Sequence, residues 1–210
     1  MRELRPGLWR WTARHPDWTP EEGGPEGWDP EVASYLYEAP GTLVLFDPLS
    51  PSWDDLDDRV ARLGPPNVLI TIFWHTRSAD EILDRYAGTR VFAHENALPE
   101  VRKRVAATDT FAAGDALPGS VEAMTARDRE ALFWLPDQAA LVAGDVLLGR
   151  AGGGVRVCPD SWLSEKFTPE GLRDELRAVL LDRPVELILL THGEPVVENA
   201  REALDEALAS

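Results

Sequence analysis

Three titratable residues of this 210-residue chain each follow an apolar segment in the sequence: His75, Asp145 and His192. Imidazole and carboxylate groups are the side chains that proteins use most often to transfer protons or to ligate metal ions. Such groups become candidates for a functional site where the fold brings them into one cleft. The other two histidines, His15 and His94, are interpreted as surface or internally satisfied residues.

The lone cysteine, Cys158, favours a structural role. A thiolate nucleophile needs a nearby base, and no histidine lies close to Cys158 in the sequence. A single cysteine forms no internal disulfide, which fits a reducing compartment. We therefore interpret Cys158 as a small buried hydrophobic residue.

The charge balance excludes one large class of partner. Thirty-seven acidic and 21 basic residues give a formal net charge of −16, whereas nucleic-acid affinity depends on lysines and arginines that neutralise phosphates. No apolar stretch approaches the roughly 20 residues of a membrane-spanning helix, and the first residues lack the apolar run of a secretory signal. We expect a cytoplasmic protein without nucleic-acid or membrane partners. Its arginine-rich, lysine-poor composition is typical of a GC-rich bacterial genome.

The first half of the chain predicts a hairpin followed by alternating strands and helices. Segments 32–37 and 42–46 form the hairpin, and the acidic segment 53–63 has apolar residues at helical spacing. Segment 67–73 is continuously apolar and β-branched, which is typical of a strand buried on both faces. Segment 79–86 is a short helix. Further strands are predicted at 8–12 and 90–93.

The second half repeats this order. Strands are predicted at 120–124, 130–135 and 139–143, and Thr168 is expected to cap a helix that begins with Pro169. A buried strand at 185–190 and a closing amphipathic helix at 200–208 follow. Two such halves packed face to face give a four-layered α/β/β/α sandwich, with two mixed sheets and helices on the outer faces. We expect a single domain over residues 1–210.

Three local sequences carry a family resemblance. They are YLYEAPGTLVLFDP at 35–48, LVAGD at 141–145 and LILLTHGE at 187–194. In this order and spacing they resemble the opening hairpin, the strand ending in Gly-Asp and the late strand ending in His-Gly of the metallo-β-lactamase fold superfamily. The resemblance covers nearly the whole chain and implies the α/β/β/α fold and, in intact members, hydrolysis at two metal ions that share a bridging Asp.

The main signature of that family is altered here. His-x-His-x-Asp-His is expected after the strand that ends near Thr71, and this chain reads ITIFWHTRSA at 70–79. With one extra residue before the motif, Phe73 takes the first His position, His75 the second, Arg77 the Asp position and Ser78 the last His position. A further ligand position falls near Ala126, whose acidic neighbours are Asp128 and Glu130.

These departures lead us to expect no dinuclear site. The resemblance leaves His75, Asp145 and His192 as residual ligands, too few for two ions that each need several donors. Arg77 would place a permanent positive charge where a carboxylate attracted a cation, and we predict that it contacts Asp145 instead, directly or through one water. In simpler structural interpretations, His75 forms a hydrogen bond at a strand end and His192 caps a turn.

The expected function is that of a family member without metal-dependent hydrolysis and without a cofactor, which binds a small molecule in the old cleft or serves a structural role. Phe73, Trp74, Arg77 and Ser78 are predicted to line this cleft. Trp18 and Trp28 belong to the irregular segment before the hairpin and are predicted to fold over its mouth, with simple packing as the other interpretation. The alternative function is a hydrolase of a small ester, thioester or lactone that uses a remodelled single-metal site, with zinc as the ion, or a metal-free site. Its catalytic candidates are His75, Asp145 and His192, because the resemblance implies that their loops meet at one cleft. The oligomeric state is left open.

Overall fold

Two β-sheets stacked face to face organise the protein in a computed structural model that describes residues 1–24, 26–127 and 129–209. The first sheet has seven strands in sequential order. They are β1 (Arg2–Arg5), β2 (Leu8–Arg14), β3 (Glu31–Ala39), β4 (Thr42–Phe46), β5 (Asn67–Leu69), β6 (Arg90–His94) and β7 (Asp109–Phe111). Neighbours are antiparallel up to β4 and parallel from β4 to β7.

The second sheet has five strands in the order β14-β11-β10-β9-β8. They are β8 (Ala116–Leu117), β9 (Val121–Arg127), β10 (Glu130–Leu135), β11 (Ala140–Ala143) and β14 (Leu187–Leu190). Strand β14 pairs with β11 in parallel, and the other neighbours are antiparallel. A separate two-stranded ribbon consists of β12 (Leu147–Gly149) and β13 (Val155–Val157).

Five α-helices within the described residues cover the outer faces of the sheets. They are α1 (Trp53–Leu63), α2 (Ala79–Arg85), α3 (Leu98–Val101), α4 (Pro169–Leu180) and α5 (Ala200–Ala209). The first three pack on the first sheet and the last two on the second. Thr168 caps α4 as expected, because its hydroxyl oxygen accepts a hydrogen bond from the backbone N–H of Gly171. None of the helices in the described part of the chain has both the length and the apolar character needed to cross a membrane.

The core between the sheets is rich in aromatic rings. The ring centroids of Phe46 and Phe133 lie 5.6 Å apart, and those of Phe111 and Phe133 lie 5.4 Å apart. This layer separates two further apolar clusters, one under each set of helices. The predicted four-layered α/β/β/α architecture is confirmed.

The apolar segment predicted as one strand at 67–73 is divided in the structure. Strand β5 ends at Leu69, because the backbone N–H of Thr71 turns to donate to the carboxylate of Asp47 and Ile72 forms an isolated bridge with Glu130 of the opposite sheet. Apolar composition alone does not reveal this bend. It carries the chain from the first sheet to the second, and Trp74, His75 and Arg77 of this segment line the candidate site.

Cys158 is buried, with 5% of its surface exposed, and packs in the apolar layer beneath α4 and α5. Burial raises the pKa of its thiol to about 11, so about one molecule in a thousand carries a thiolate at pH 8. We expect an aromatic disulfide reagent to modify native Cys158 at least 100-fold more slowly than the chain unfolded in guanidinium chloride. Native labelling of one thiol per chain at the unfolded rate would contradict this packing.

Candidate functional site

Three chain segments bring the candidate residues together at one edge of the two sheets. His75 lies in the loop after β5, Asp145 follows β11 and His192 follows β14. Each of the three residues is at least nine-tenths buried. Their potential ligand atoms all lie within 4.8 Å of one another. The sequence therefore identified a set of residues that the fold places in a single cluster.

Asp145 is at the centre of this cluster. Its Oδ1 atom lies 3.3 Å from His75 Nε2 and 3.2 Å from His192 Nε2. Its Oδ2 atom accepts a hydrogen bond of 2.8 Å from the indole N–H of Trp74. One carboxylate oxygen is thus held by the indole while the other faces both imidazoles.

The far side of the His75 ring is fixed by Asp47, which ends the hairpin at the Asp-Pro turn. His75 Nδ1 lies 3.0 Å from Asp47 Oδ2, and the hydroxyl of Thr71 donates to the same oxygen at 2.5 Å. Because a carboxylate only accepts, the Nδ1 of His75 carries the proton in this contact. His75 therefore directs its Nε2 atom towards Asp145. The sequence motif included Asp47, but its partnership with His75 depends on the bend after β5.

Two glycines allow the segments to approach this closely. A Cβ atom on Gly144, just before Asp145, would lie 2.7 Å from the Glu130 carboxylate and 2.8 Å from the Thr71 hydroxyl. Gly193, just after His192, has a φ of +97° and approaches the Cα atom of Gly149. Any side chain at either glycine would separate the strand ends. The Gly-Asp and His-Gly pairs in the sequence thus have a steric cause.

The electrostatics of the cluster give its two histidines different charges. Burial alone would lower the pKa of His75, but the Asp145 and Asp47 carboxylates outweigh it and raise that pKa to about 9. For His192 burial prevails and lowers the pKa. Burial would raise the pKa of Asp145, yet the two imidazoles hold it well below its usual range. The cluster therefore carries an imidazolium, a neutral imidazole and a carboxylate near pH 7.

The donor set fits one metal ion. Two donors bound at about 2.0–2.2 Å to one tetrahedral ion are separated by roughly 3.3–3.6 Å, close to the two Nε2–Oδ1 distances. Although both imidazoles are near, Asp145 Oδ1 has no well-oriented hydrogen bond within the described residues. The partnership of Asp47 with the outer nitrogen of His75 is also the arrangement that orients metal-binding histidines in other proteins. Once His75 has lost the proton on Nε2, two imidazoles and a carboxylate suit zinc and other divalent transition metals.

The predicted direct contact between Arg77 and Asp145 is wrong. The Nη1 atom of Arg77 donates instead to the backbone carbonyls of Ala33 at 2.9 Å and of Asp47 at 2.8 Å. The left-handed backbone of Arg77, with a φ of +42°, accompanies this docking against the ends of β3 and β4. The carbonyl groups at the ends of these strands accept from the guanidinium, and Asp145 is neutralised by His75 instead.

A cavity of about 370 Å³ opens directly onto the cluster. It is lined by His15, Asp17, Trp28, Trp74, His75, Arg77, Arg104, Arg127, Asp145, Trp162 and His192. Trp28 and Trp74, which were predicted at the cleft, both line this cavity. His15, interpreted as a surface or satisfied residue, also lines it. His94 is buried elsewhere, with Thr125 and the backbone of Asn96 as neighbours.

Three other predicted cleft residues lie outside this lining. Phe73 lines an adjoining groove of about 540 Å³ that shares Trp74, Arg127 and Trp162 with the cavity. The indole of Trp18 donates to the backbone carbonyl of Trp28, so Trp18 supports the cavity wall from behind. Ser78 is buried and its hydroxyl accepts from the backbone N–H of Ser50.

The region of the expected further ligand contains a buried ion pair instead. Ala126 faces the apolar layer under α4 and α5. Arg127 Nε donates to Glu130 Oε2 at 2.6 Å, while Glu130 Oε1 accepts from the backbone N–H of Val146 at 2.8 Å. Glu130 is therefore fully engaged, and Asp128 lies outside the described residues. Apart from the nearness of the two charges, no sequence signal indicates this pair.

Comparison with solved structures identifies the fold. A metallo-β-lactamase family protein from Thermus thermophilus is 21% identical, with 99% of this chain and 80% of that chain covered and a TM-score of 0.64. Metallo-β-lactamases from Erythrobacter litoralis and Pontibacter korlensis are each 14% identical. The first has a TM-score of 0.71 over 99% of this chain and 93% of its own. The second has a TM-score of 0.68 over 100% of this chain and 98% of its own.

The chain thus has the metallo-β-lactamase fold. No protein-family model matches the sequence, and no curated protein matches it significantly. What the site does must therefore be argued from its own residues.

The two histidines predict opposite pH dependences for the stability of the metal-free protein. His75 holds its proton more tightly in the folded chain, so its contribution is complete below pH 6.5 and is lost as the pH rises through about 9. The stability difference between wild type and His75→Gln should therefore shrink from pH 6 to pH 9, by at most about 3 kcal/mol. Urea denaturation in the presence of chelator measures it.

His192→Gln provides the matched comparison. The folded pKa of His192 is lowered, so the contribution of the neutral ring is present above pH 6.5 and is lost as the pH falls. The difference in free energy of unfolding between wild type and His192→Gln should shrink from pH 7 to pH 5. Two variants whose differences from wild type do not change with pH would contradict the assigned charges.

Proposed function

We propose that this protein is a hydrolase of a small ester, thioester or lactone that works with one divalent metal ion, zinc being the best match to the donors. The observation that carries the proposal is the convergence of His75, Asp145 and His192 on a cavity at the sheet edge. Three protein ligands and one open position are typical of catalytic zinc, whereas structural zinc has four protein ligands. The fold supports hydrolysis as the reaction class.

The donors are sufficient for one ion but not for two. Asp47 is turned to the outer nitrogen of His75, Glu130 is paired with Arg127, and Arg77 contributes a cation to the same cavity. The expected loss of the dinuclear arrangement is therefore kept in this proposal. The expected absence of any cofactor is replaced by a single ion.

The chain's own side chains supply orientation. Asp47 and Thr71 hold the His75 ring so that Nε2 points to Asp145. The indole of Trp74 holds Asp145 Oδ2, which leaves Oδ1 as the ligand atom. Ligands fixed in advance lose less entropy on binding, and such supporting contacts increase metal affinity by 10- to 100-fold.

A zinc ion held by His75, Asp145 and His192 would lower the pKa of a water molecule to about 7 and polarise a carbonyl group. The indole rings of Trp28, Trp74 and Trp162 line the cavity beside the ligands and reduce the water around a bound substrate. A cavity of about 370 Å³ suits a small molecule. Esters, thioesters and lactones share the carbonyl carbon that such a site attacks.

A second candidate function is binding of a small molecule without metal or hydrolysis. The pairing of the His75 imidazolium with Asp145 favours it, because this contact compensates the buried carboxylate without an ion. Metal content and turnover distinguish the two candidates.

Metal analysis is the first test. Protein purified without chelator and supplied with zinc should contain about one ion per chain by elemental mass spectrometry. His192→Gln should abolish stoichiometric binding, and Asp47→Asn should weaken affinity by 10- to 100-fold through the lost orientation of His75. Asp182→Asn, on an exposed site after α4, is the matched control and should bind like wild type.

Two ions per chain would contradict the single-ion proposal. An absence of binding at micromolar zinc, with a folded protein by circular dichroism, would support the second candidate instead.

Hydrolysis is tested separately with chromogenic esters, thioesters and lactones. Turnover should disappear after chelation, return with zinc, and fall at least 100-fold in His192→Gln. Turnover that survives chelation, or a zinc-loaded protein that hydrolyses none of the three classes, would overturn the proposed activity.

A further inference from the structure

Arg127 is a buried cation, and the hydrogen bonds of the described residues engage two of its three guanidinium nitrogens. Only 8% of its surface is exposed, and it lines both the cavity at the metal cluster and the adjoining aromatic groove. Its Nε donates to Glu130 and its Nη1 donates to the backbone carbonyl of Trp162. Nη2, the remaining nitrogen, forms no hydrogen bond within the described residues.

The position of Nη2 is fixed by the contacts of the other two nitrogens. The Arg127–Glu130 contact is 2.6 Å, and Glu130 is itself held by the backbone N–H of Val146. A guanidinium is planar and rigid, so two fixed nitrogens determine where the third lies. Donors that are already oriented bind an anion without the entropy loss of a mobile lysine or arginine.

The charge around the Arg127 guanidinium differs in sign from the net charge of the whole protein. The chain has a net charge of −16, yet the cavity is lined by three arginines and two aspartates. The groove has three cationic and two acidic residues. Positive charge confined to a cleft of an acidic protein selects anions that enter it.

The walls beside Arg127 suit an apolar group. Trp74 is 43% exposed, the largest exposed aromatic surface among the described hydrophobic residues. Phe73, Trp162 and Phe167 complete the groove. An occupant that complements these walls has a flat apolar body as well as an anionic end.

We propose that Arg127 binds the carboxylate of a small amphipathic substrate whose apolar body lies in the groove of Phe73, Trp74, Trp162 and Phe167. The inference rests on the proposed function, because it assigns the substrate class of that same site. It makes Arg127 a specificity-determining residue, because Nη2 donates a hydrogen bond to an oxygen of the substrate carboxylate. The carbonyl group to be hydrolysed then lies towards His75 and His192.

The test uses chelator-treated protein, so that binding is measured without metal or turnover. Phenylacetate is the probe and phenylacetamide its neutral counterpart, followed by calorimetry and by quenching of tryptophan fluorescence at constant ionic strength. Phenylacetate should bind at least tenfold more tightly than phenylacetamide to the wild-type protein. Equal affinities, or no binding of phenylacetate at millimolar concentration, would overturn the inference.

Arg127→Lys identifies the residue responsible. Lysine keeps a positive charge opposite Glu130 but has no second or third nitrogen, so phenylacetate affinity should fall to the level of the amide. Arg62→Gln, which removes one exposed arginine on α1, is the matched control and should bind phenylacetate like wild type. A folded Arg127→Lys protein with wild-type affinity would refute the assignment to Arg127. Should this variant fail to fold, the comparison of acid and amide on the wild-type chain still decides the substrate class.

The same preparations separate this inference from the proposed function. Carboxylate binding without zinc binding or hydrolysis would support the Arg127 site and reject the metal-dependent enzyme. Zinc-dependent hydrolysis of neutral substrates only, with no preference for phenylacetate over its amide, would support the metal-dependent enzyme and reject the Arg127 site.

Discussion

The buried carboxylate of Asp145 is the group around which the site is arranged. A carboxylate removed from water costs several kcal/mol unless it is compensated, and Asp145 is 4% exposed. Its compensation comes from separate parts of the chain: His75 and Trp74 from the loop after the first sheet's β5, and His192 from the end of β14 in the second. The two sheets therefore meet around one negative charge. Gly144 makes that meeting sterically feasible.

The positive charges around this carboxylate have different tasks. Arg77 joins the ends of β3 and β4 through the carbonyls of Ala33 and Asp47, so its role is to hold the floor of the cavity in place. Arg127 is tied to Glu130 and to the opposite wall. Neither arginine neutralises Asp145 by direct contact, and the carboxylate is left to its imidazole neighbours. This division keeps the donor atoms of the cluster available.

The fold and the site answer different questions about function. Similarity to metallo-β-lactamases at 14–21% identity establishes the backbone arrangement, and a fold hosts many chemistries. The chemistry depends on the donors that are present, and His75, Asp145 and His192 are three residues that could hold a metal ion. Three arginines and three tryptophans line the cavity next to them.

Local sequence patterns predicted the strands and helices of the layered architecture, and the family resemblance identified the three residues of the cluster. Hydrophobic periodicity located the hairpin, α1 and α4, because that signal is local along the chain. The Gly-Asp and His-Gly pairs located Asp145 and His192 through their similarity to the family's motifs. Which charges pair became visible only in the folded chain. Arg77 was expected to contact Asp145, but the bend after β5 directs it to strand-end carbonyls. The link between Asp47 and His75 spans 28 positions, and which partner a buried charge finds depends on the packing of two sheets, which no local pattern contains.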